Sequence, residues 1–420
     1  MRQTKLFYKA KKTVPKNIEA RSQQLLYRGD FIDQLGSGLY SFLPLGWSVM
    51  SNIAKIIREE MKAIGGQEVF LPSLHPKKVW QVTKRWETIR PPLFKLRDSH
   101  NKEFALGPTH EEVITQLVAS RVLSYKDLPV SLFQIQNKFR NEIRYTGGLL
   151  RTREFLMKDL YSFHADQKDF EKYYQKVAKA YFSIFKRCGL EAKMVEASGE
   201  GFTNSFTHEF QVFTPVGEDT IFYCPKCGFA RNKEIADYKA GDKCPKCGAK
   251  LELKRGIEIG NIFPLGDKYS KAFNLFYKDK EGNQKSVIMG CYGIGLGRLM
   301  ASVVELNNDE KGIVWPSELA PFDIHLIPIE MKNKQVQETA EKIYQIGQKA
   351  GFGVLYDDRI GKKIGEKFVE ADLIGIPIRI VVSKKTLEKN ELEIAKRNKN
   401  KKEFLSIEKL QNFLIQEKKK

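Results

Sequence analysis

The stretch LFQIQNKFRNEIRYTGGLLRTREFLMKDLYSF, residues 132–163, decides how this chain folds. Leu132 to Phe139 and Phe155 to Phe163 are apolar and aromatic runs of strand length, and Gly147-Gly148 supplies a turn between them. The segment reads as two strands joined by a mobile, charged turn. Alternation puts Arg140 and Glu142 on one face, and Arg151 and Phe155 share parity on the returning strand. Two guanidinium groups, a carboxylate and an aromatic ring facing one space can hold a nucleotide. The arginines meet phosphates, Glu142 accepts from an exocyclic amine, and Phe155 stacks on the base. A solvated charged hairpin is the plain alternative.

Outward from this hairpin, the N-terminal side offers an amphipathic helix from Gly46 to Gly66. Val49, Ile53, Ile56, Ile57, Met61 and Ile64 recur at helical spacing, and Gly65-Gly66 ends the pattern. Glu68 to Pro72 reads as a short strand, Lys102 to Leu106 as another, and Thr109 to Ser120 as a helix with Thr109 at its N-cap. On the C-terminal side, Asp169 to Cys188 is helical, with Phe170, Tyr173, Tyr174 and Val177 facing a core. Glu209 to Phe213 and Ser286 to Met289 are further strand candidates. Strands separated by long connections and helices predict an α+β domain with a largely antiparallel sheet.

The pattern changes across Trp315-Pro316 to Ala320-Pro321. Strands at Ile324 to Ile329, Val354 to Asp357 and Ile378 to Val382 alternate with helices at Lys334 to Gly351 and Lys363 to Ile374. That alternation predicts a small α/β domain. The stretch from Lys384 to Lys420 is a basic tail, with twelve Lys and Arg against six Glu.

The 420 residues carry 71 Lys and Arg against 51 Asp and Glu, a formal charge of +20, and 42% of them are hydrophobic. Apolar mass on that scale excludes wholesale disorder, and the absence of a run of about 18 apolar residues excludes a membrane-spanning helix. Six Cys in so long a chain do not make a disulfide-framed secreted domain. The basic first residues lack an apolar stretch, so no secretory signal is expected and the chain reads as cytoplasmic. The charge excess points to a polyanionic partner, nucleic acid before acidic membrane, or equally to a soluble enzyme from a Lys-rich proteome.

Cys224-Pro-Lys-Cys227-Gly and Cys244-Pro-Lys-Cys247-Gly are two knuckles with sixteen residues between them. Four thiolates suit the tetrahedral demand of zinc, and a site with no open position is structural. Lys226, Lys243 and Lys246 offset the negative charge of such a site. Iron in the same sulfur geometry competes, whereas a redox dithiol would need only one CxxC. Cys188 and Cys291 read as packed core thiols. Gly290-Cys-Tyr-Gly-Ile-Gly-Leu-Gly297-Arg298 follows an apolar strand and opens a helix. A dinucleotide turn would need an acidic residue about twenty positions on, ending a second strand. Glu318 stands there, but in a Pro-rich turn, so that reading fails. What remains is either backbone passing close to a ligand, with Arg298 projected toward a phosphate, or a surface arginine on a packed helix. Gly107-Pro-Thr109-His-Glu111-Glu112 turns into a helix; it offers either a site for a small ammonium group or ordinary capping with first-turn acids.

Together these segments resemble the class II aminoacyl-tRNA synthetases, and within them the prolyl-tRNA synthetases of bacterial type, over nearly the whole chain. Gly65 to Pro72 resembles motif 1. Phe139-Arg140-x-Glu142 with Arg151-x-x-x-Phe155 resembles motif 2, and Gly293 to Arg298 resembles motif 3. The proline branch is marked by Gly107 to Glu112, Met157 to His164, Thr207 to Phe210 and Leu373 to Pro377. The resemblance implies ATP with Mg2+ as substrate and activator, a structural Zn2+, and L-proline and tRNA(Pro) as partners. A homodimer is implied, and no membrane. It implies that Arg140 and Arg298 are catalytic and that Arg140, Glu142, Arg151, Phe155 and Arg298 bind ATP. It further implies that Thr109, Glu111, Arg140, His164 and His208 bind proline, that Arg144 meets the tRNA acceptor end, and that Asp357, Asp358 and Arg359 serve the anticodon. The implied domains are a class II catalytic domain (1–223 and 251–319), a zinc-ribbon-like insert (224–250) and an α/β anticodon-binding domain (320–420). The knuckles stand where many bacterial relatives carry an editing domain, so no clearance of mischarged alanine in cis is expected. A threonyl- or glycyl-type synthetase, or a tRNA-binding paralogue without catalysis, is the alternative.

Overall fold

The hairpin that opens the sequence reading lies inside a mixed sheet of the computed structural model, which describes residues 1–16, 18–199, 206–399 and 401–418. The chain packs as two units. One holds Met1–Leu35, Tyr40–Ile53 and Val303–Lys420; the other holds Gly36–Leu39 and Ala54–Ser302. Among the described residues no helix is long and apolar enough to cross a membrane.

The second unit is built on helix α1 (Pro44–Ala63), whose later part lies in it, and on strand β1 (Gln67–Glu68), helix α2 (Glu111–Ala119), β2 (Val130–Phe139), β3 (Glu154–His164) and helix α3 (Gln167–Arg187). There follow β4 (Lys193–Ala197), β5 (Thr207–Phe213), β6 (Asp219–Tyr223), β7 (Ala230–Asn232), β8 (Glu252–Gly266) and β9 (Ile288–Gly295), which leads into helix α4 (Leu296–Leu306). Among the described residues these strands form one sheet in the order β5-β4-β7-β6-β8-β9-β3-β2-β1, with an added pairing of β5 to β8. The pairings are antiparallel except β1 with β2 and β7 with β4. Helix α3 covers one face of β3 and β9. It buries Phe170, Tyr174, Val177, Tyr181, Ile184 and Phe185, each at roughly 1.5–3 kcal/mol relative to exposure, while Tyr173 is half-buried.

Several expected elements are corrected. The strand expected over Glu68 to Pro72 pairs only at Gln67 and Glu68. Beyond them Val69 N–H donates to the Phe133 carbonyl and Leu71 N–H to the Gln134 side chain, so a side chain takes over from the ladder. Helix α2 starts at Glu111, and Thr109 does not cap it; the N-cap position is His110. The two runs of the hairpin are strands, but Arg140 to Arg153 lies outside both, so strand parity is not what brings its charged residues together. Strand β8 was not expected at all. Gly256, Gly260 and Pro264 interrupt its alternation, and its register slips against both β5 and β9. The glycines of Gly290 to Gly295 lie within β9 rather than in a turn.

In the other unit, β10 (Ile324–Pro328), helix α5 (Lys334–Lys349), β11 (Val354–Tyr356), helix α6 (Ile364–Ile374) and β12 (Ile378–Val382) form the α/β pattern. β10 runs parallel to β11 and β12 and is buried along its length. The basic stretch after residue 383 is a folded part of this unit rather than a tail. It supplies β13 (Glu391–Lys396), β14 (Lys402–Ser406) and helix α7 (Leu410–Lys418); residues 400, 419 and 420 lie outside the described residues. The sheet order is β11-β10-β12-β13-β14, and Leu392, Ile394, Leu410 and Leu414 complete its core. Leu392 and Ile394 alternate with Glu391 and Glu393 inside a stretch dominated by charge, which hides them in the sequence.

Candidate active site

Sheet register fixes which side chains share the face turned away from α3. Gln134, Asp159, Gly293 and Asn261 stand opposite one another across β2, β3, β9 and β8. Gln136, Met157 and Gly295 form the next row, then Lys138 and Phe155. A Cβ at Gly293 would sit 2.9 Å from Asn261 Oδ1 and 3.7 Å from Met157 Cε, so glycine is what keeps this row open. The result is a cleft lined by Arg140, Glu142, Arg151, Phe155, Asn261 and Arg298, among others. All five residues assigned to ATP by resemblance therefore converge, from three separate segments of chain.

The β8 bulge completes this cleft. Phe210 faces Gly260 and the next residue, Gln211, faces Glu258, so one residue of β8 is skipped. The skip turns Glu258 onto the face of Asn261, and Asn261 Nδ2 donates to Glu258 Oε1 at 2.8 Å. Arg298, in the first turn of α4, donates through Nη1 to Glu258 Oε2 at 2.6 Å and through Nε to the Leu150 carbonyl at 2.9 Å. Burial opposes the Arg298 charge, but Glu258 outweighs it and holds its pKa above the ordinary value. The Arg140 guanidinium lies 5.2 Å from the Phe155 ring centroid. Burial, and then the neighbouring Arg298 charge, hold its pKa below the ordinary value. Arg151 Nη2 donates to Glu218 Oε2 at 2.9 Å, and its Nη1 is 3.9 Å from Glu142 Oε2. Three guanidinium groups, two of them oriented by Glu258 and Glu218, in a cleft with an aromatic wall suit a triphosphate nucleotide.

Beside this cleft Gln211 Nε2 bridges Glu209 Oε2 at 2.8 Å and Asp219 Oδ2 at 2.7 Å. Burial, then Glu258 and Asp219, push the Glu209 carboxyl up to about 8. Glu258 and Asn261 went unnoticed in the sequence. The alternation Ile257-Glu258-Ile259 was the available signal, and the bulge spoils it one residue later.

Thr109 and Glu111 are both buried, and Thr109 Oγ1 donates to Glu111 Oε2 at 2.5 Å. The Cys291 thiol donates to Glu111 Oε1 at 3.2 Å, so this cysteine is a partner of the carboxylate as well as a packed thiol. Arg85 Nη1 is 3.7 Å from Glu111 Oε2 and 2.8 Å from Glu112 Oε1. A buried carboxyl group flanked by a hydroxyl, a thiol and a guanidinium makes a small polar pocket of the size an ammonium group needs.

The two histidines expected here are elsewhere. His164 lies on the α3 face of β3, with Nδ1 2.6 Å from Asp169 Oδ2 and its ring packed edge-on against Phe170. His208 lies on the α3 face of β5, with Nδ1 2.9 Å from the Tyr174 hydroxyl. Residue parity sends both rings away from Thr109 and Glu111. Arg144 is exposed in the loop between β2 and β3. In the other unit Asp357 is buried and engaged: Arg359 Nη2 reaches its Oδ2 at 2.7 Å and Lys367 Nζ its Oδ1 at 3.4 Å. Asp358 accepts from the Thr4 backbone at 2.9 Å and from its hydroxyl at 2.7 Å. The carboxylates of this trio thus serve the fold of their own unit.

The four cysteines of the knuckles cluster with all Sγ atoms within 4.8 Å of one another. Cys224 and Cys247 Sγ are 3.5 Å apart, Cys227 and Cys244 Sγ 3.6 Å. A tetrahedron with Zn–S bonds of about 2.3 Å has sulfurs roughly 3.8 Å apart, so the cage fits that ion. Gly228 and Gly248 take φ of +74° and +72°, where the tight turn after each knuckle favours glycine.

A largely antiparallel sheet with a glycine-floored cleft, an arginine at its motif 2 edge and another at the start of α4 defines a class II aminoacyl-tRNA synthetase. The family model described as the tRNA synthetase class II core domain (G, H, P, S and T) matches residues 94–307, and that of the anticodon binding domain matches 323–417. The proline–tRNA ligase of Moorella thermoacetica is 34% identical over 556 aligned positions, covering 97% of each chain, and that of Geobacillus sp. is 35% identical over 537 positions, covering 92% of this chain and 94% of that one. The chain belongs to the proline–tRNA ligase family. Its 420 residues are far fewer than the 556 aligned positions, so a long section of the Moorella relative faces no residue here. The fold is shared with the prolyl-tRNA synthetase of Cryptosporidium parvum complexed with halofuginone and AMPPNP (TM-score 0.79, 20% identity, 94% of this chain and 76% of that one). It is shared too with that of Giardia lamblia in complex with prolyl-adenylate (TM-score 0.77, 22% identity, 92% and 74%).

Proposed function

We propose that this chain activates L-proline with ATP and transfers it to tRNA(Pro), releasing pyrophosphate and AMP. The observation that carries this reading is the convergence of Arg140, Glu142, Arg151, Phe155 and Arg298 in one cleft of a proline–tRNA ligase family member. The proline carboxylate attacks the α-phosphorus in line, and pyrophosphate leaves. Arg140 holds the α-phosphate and the carboxylate near each other and offsets charge as it builds. Arg151 and Arg298 hold the γ end, Glu142 meets the adenine amine, and Phe155 stacks on the ring. Thr109 and Glu111 hold the secondary ammonium, a role supported by their burial and by the Cys291 and Arg85 partners of the carboxylates. His164 and His208 take no part, because both face α3. The tRNA ribose hydroxyl then attacks the adenylate carbonyl.

Mg2+ accompanies ATP. Glu258 and Asn261 offer it oxygen ligands beside the phosphate-binding arginines, and when bound it supplies further charge neutralisation. The four-cysteine cage holds a structural Zn2+. Arg144 meets the acceptor end of the tRNA. The C-terminal unit takes the anticodon stem-loop, supported by a cavity lined by Lys311, Lys399 and Lys401, with Arg379 and Arg397 paired to Asp372 and Asp309 in its wall. Asp357 and Arg359 shape this unit rather than read bases. The domain limits are 1–223 with 251–319, 224–250, and 320–420. The chain works in the cytoplasm as a homodimer, a reading that rests on the family resemblance.

The reading is tested by charging tRNA(Pro) with labelled proline; absence of prolyl-tRNA at saturating ATP refutes it. With no section of chain for editing, the purified protein leaves Ala-tRNA(Pro) intact; rapid deacylation by the protein alone would contradict that.

A further inference from the structure

A buried polar chain ties the loop carrying Thr109 and Glu111 to the strand that delivers Arg140. Lys138, on β2 two residues before Arg140, is 0% exposed. Its Nζ lies 2.7 Å from Asp159 Oδ1 and 2.9 Å from His110 Nδ1. His110 is the residue between Thr109 and Glu111, and it too is fully buried. Its Nε2 lies 3.0 Å from the Pro72 carbonyl, which can only accept, so Nε2 carries the ring proton and Nδ1 is free to accept from Lys138. The His110 backbone N–H donates to the Tyr161 hydroxyl at 3.1 Å. Gln134 Nε2 donates to Asp159 Oδ2 at 2.9 Å, and its Oε1 accepts from Leu71 N–H at 3.1 Å. Gln136 Nε2 donates to the Leu71 carbonyl at 2.8 Å.

A fully buried lysine is a costly device for holding a fold, because an apolar side chain of the same length packs there without desolvating a charge. What the ammonium adds is direction. It has one partner on β3 and one on the 107–111 loop, and together they leave the imidazole a single tautomer and a single ring position. The loop's backbone is thereby fixed on the same strand whose end presents Arg140.

We propose that Lys138, acting through His110 and Asp159, is a positioning residue that registers the proline-holding pair Thr109 and Glu111 against Arg140. The inference rests on the proposed function. Attack on phosphorus needs the carboxylate placed to within a fraction of an ångström, and the ammonium and phosphate sites sit on different segments. Lys138 joins those segments without touching either substrate. Its loss therefore loosens the proline site and leaves the ATP cleft, with its separate Glu258 and Asn261 supports, as it was.

The test is ATP–pyrophosphate exchange with each substrate varied in turn. Lys138→Met alone leaves Asp159 as a buried unpaired charge, so the main variant is Lys138→Met with Asp159→Asn, which removes both charges together. The expected result is a rise of at least tenfold in KM for proline and less than threefold in KM for ATP. Equal rises in both constants, or no rise in the proline constant, overturn the proposal. If the double variant does not fold, His110→Gln, which keeps Lys138 paired with Asp159, is expected to raise the proline constant at least threefold with the ATP constant unmoved; an unmoved proline constant overturns the proposal equally. Exchange by the unmodified protein that ignores proline would refute the underlying function, whereas proline-dependent exchange with unmoved variant constants refutes only the role of Lys138.

Discussion

Arg298→Lys separates charge from geometry at the phosphate end of the cleft. The guanidinium makes a 2.6 Å contact to Glu258 Oε2 and a 2.9 Å contact to the Leu150 carbonyl from different nitrogens, which fixes its plane and leaves the remaining N–H groups for the nucleotide. An ammonium keeps the charge and loses that fork. A hydrogen bond to a charged group contributes about 1.5–3 kcal/mol. Loss of one such bond to phosphate, with poorer orientation of the rest, comes to about 3 kcal/mol. At about 1.4 kcal/mol per tenfold, kcat/KM for ATP should fall on the order of 100-fold. Arg298→Ala should fall further, because Glu258 then stands uncompensated in a half-buried site. The assay is pyrophosphate exchange at saturating proline with ATP varied, with the thermal midpoint as a check on folding. An Arg298→Lys enzyme within threefold of the unmodified protein would refute the phosphate role of this residue.

Three further outcomes are expected. Gly293→Ala puts a Cβ 2.9 Å from Asn261 Oδ1 on the cleft floor, so KM for ATP should rise at least tenfold while the thermal midpoint moves little; an unchanged ATP constant would contradict the placement of the nucleotide. Metal analysis should find about one zinc per chain, and Cys227→Ser should lose it and lower the thermal midpoint; iron in its place would overturn the choice of ion. Burial drives the Lys158 ammonium down to about 7, below the ordinary lysine value. The unfolded chain therefore binds more protons than the native one from about pH 7 to about pH 10, and stability should rise across that window. Denaturant midpoints of Lys158→Met should be flatter over the same range, and a parallel pH dependence would refute the assignment.

Much of this architecture is legible before any coordinates, and the parts that are not share a cause. Leu132 to Phe139 and Phe155 to Phe163 announce themselves because apolar and aromatic residues crowd into two runs of strand length on either side of a Gly-Gly turn. The helix from Gln167 shows its buried stripe at helical spacing, and the cysteine knuckles carry their geometry in their spacing. Glu252 to Gly266 is a long strand that the sequence hides. Two glycines, a proline and a bulge break its alternation, and it owes its extended form to strands on both sides. Glu258 is hidden with it, since a one-residue slip decides which face it joins.

The site shows the same division. Arg140, Glu142, Arg151 and Phe155 do meet, but not through strand parity. Arg140 and Arg151 lie on irregular chain, held by contacts such as Arg140 N–H to the Arg153 carbonyl and Arg151 to Glu218. His164 and His208 stand in the right segments on the wrong face, which strand parity could have told. Asp357, which the resemblance implies serves the anticodon, is engaged by Arg359 and Lys367, because a buried carboxylate needs its charge met locally.

The most direct measurement is amino-acid-dependent ATP–pyrophosphate exchange by the purified chain with Mg2+ present, run separately with proline, threonine and glycine. Proline alone should support rapid exchange, and Arg140→Ala should abolish it while tRNA binding persists. Exchange driven by threonine or glycine, or none with proline, would contradict the account.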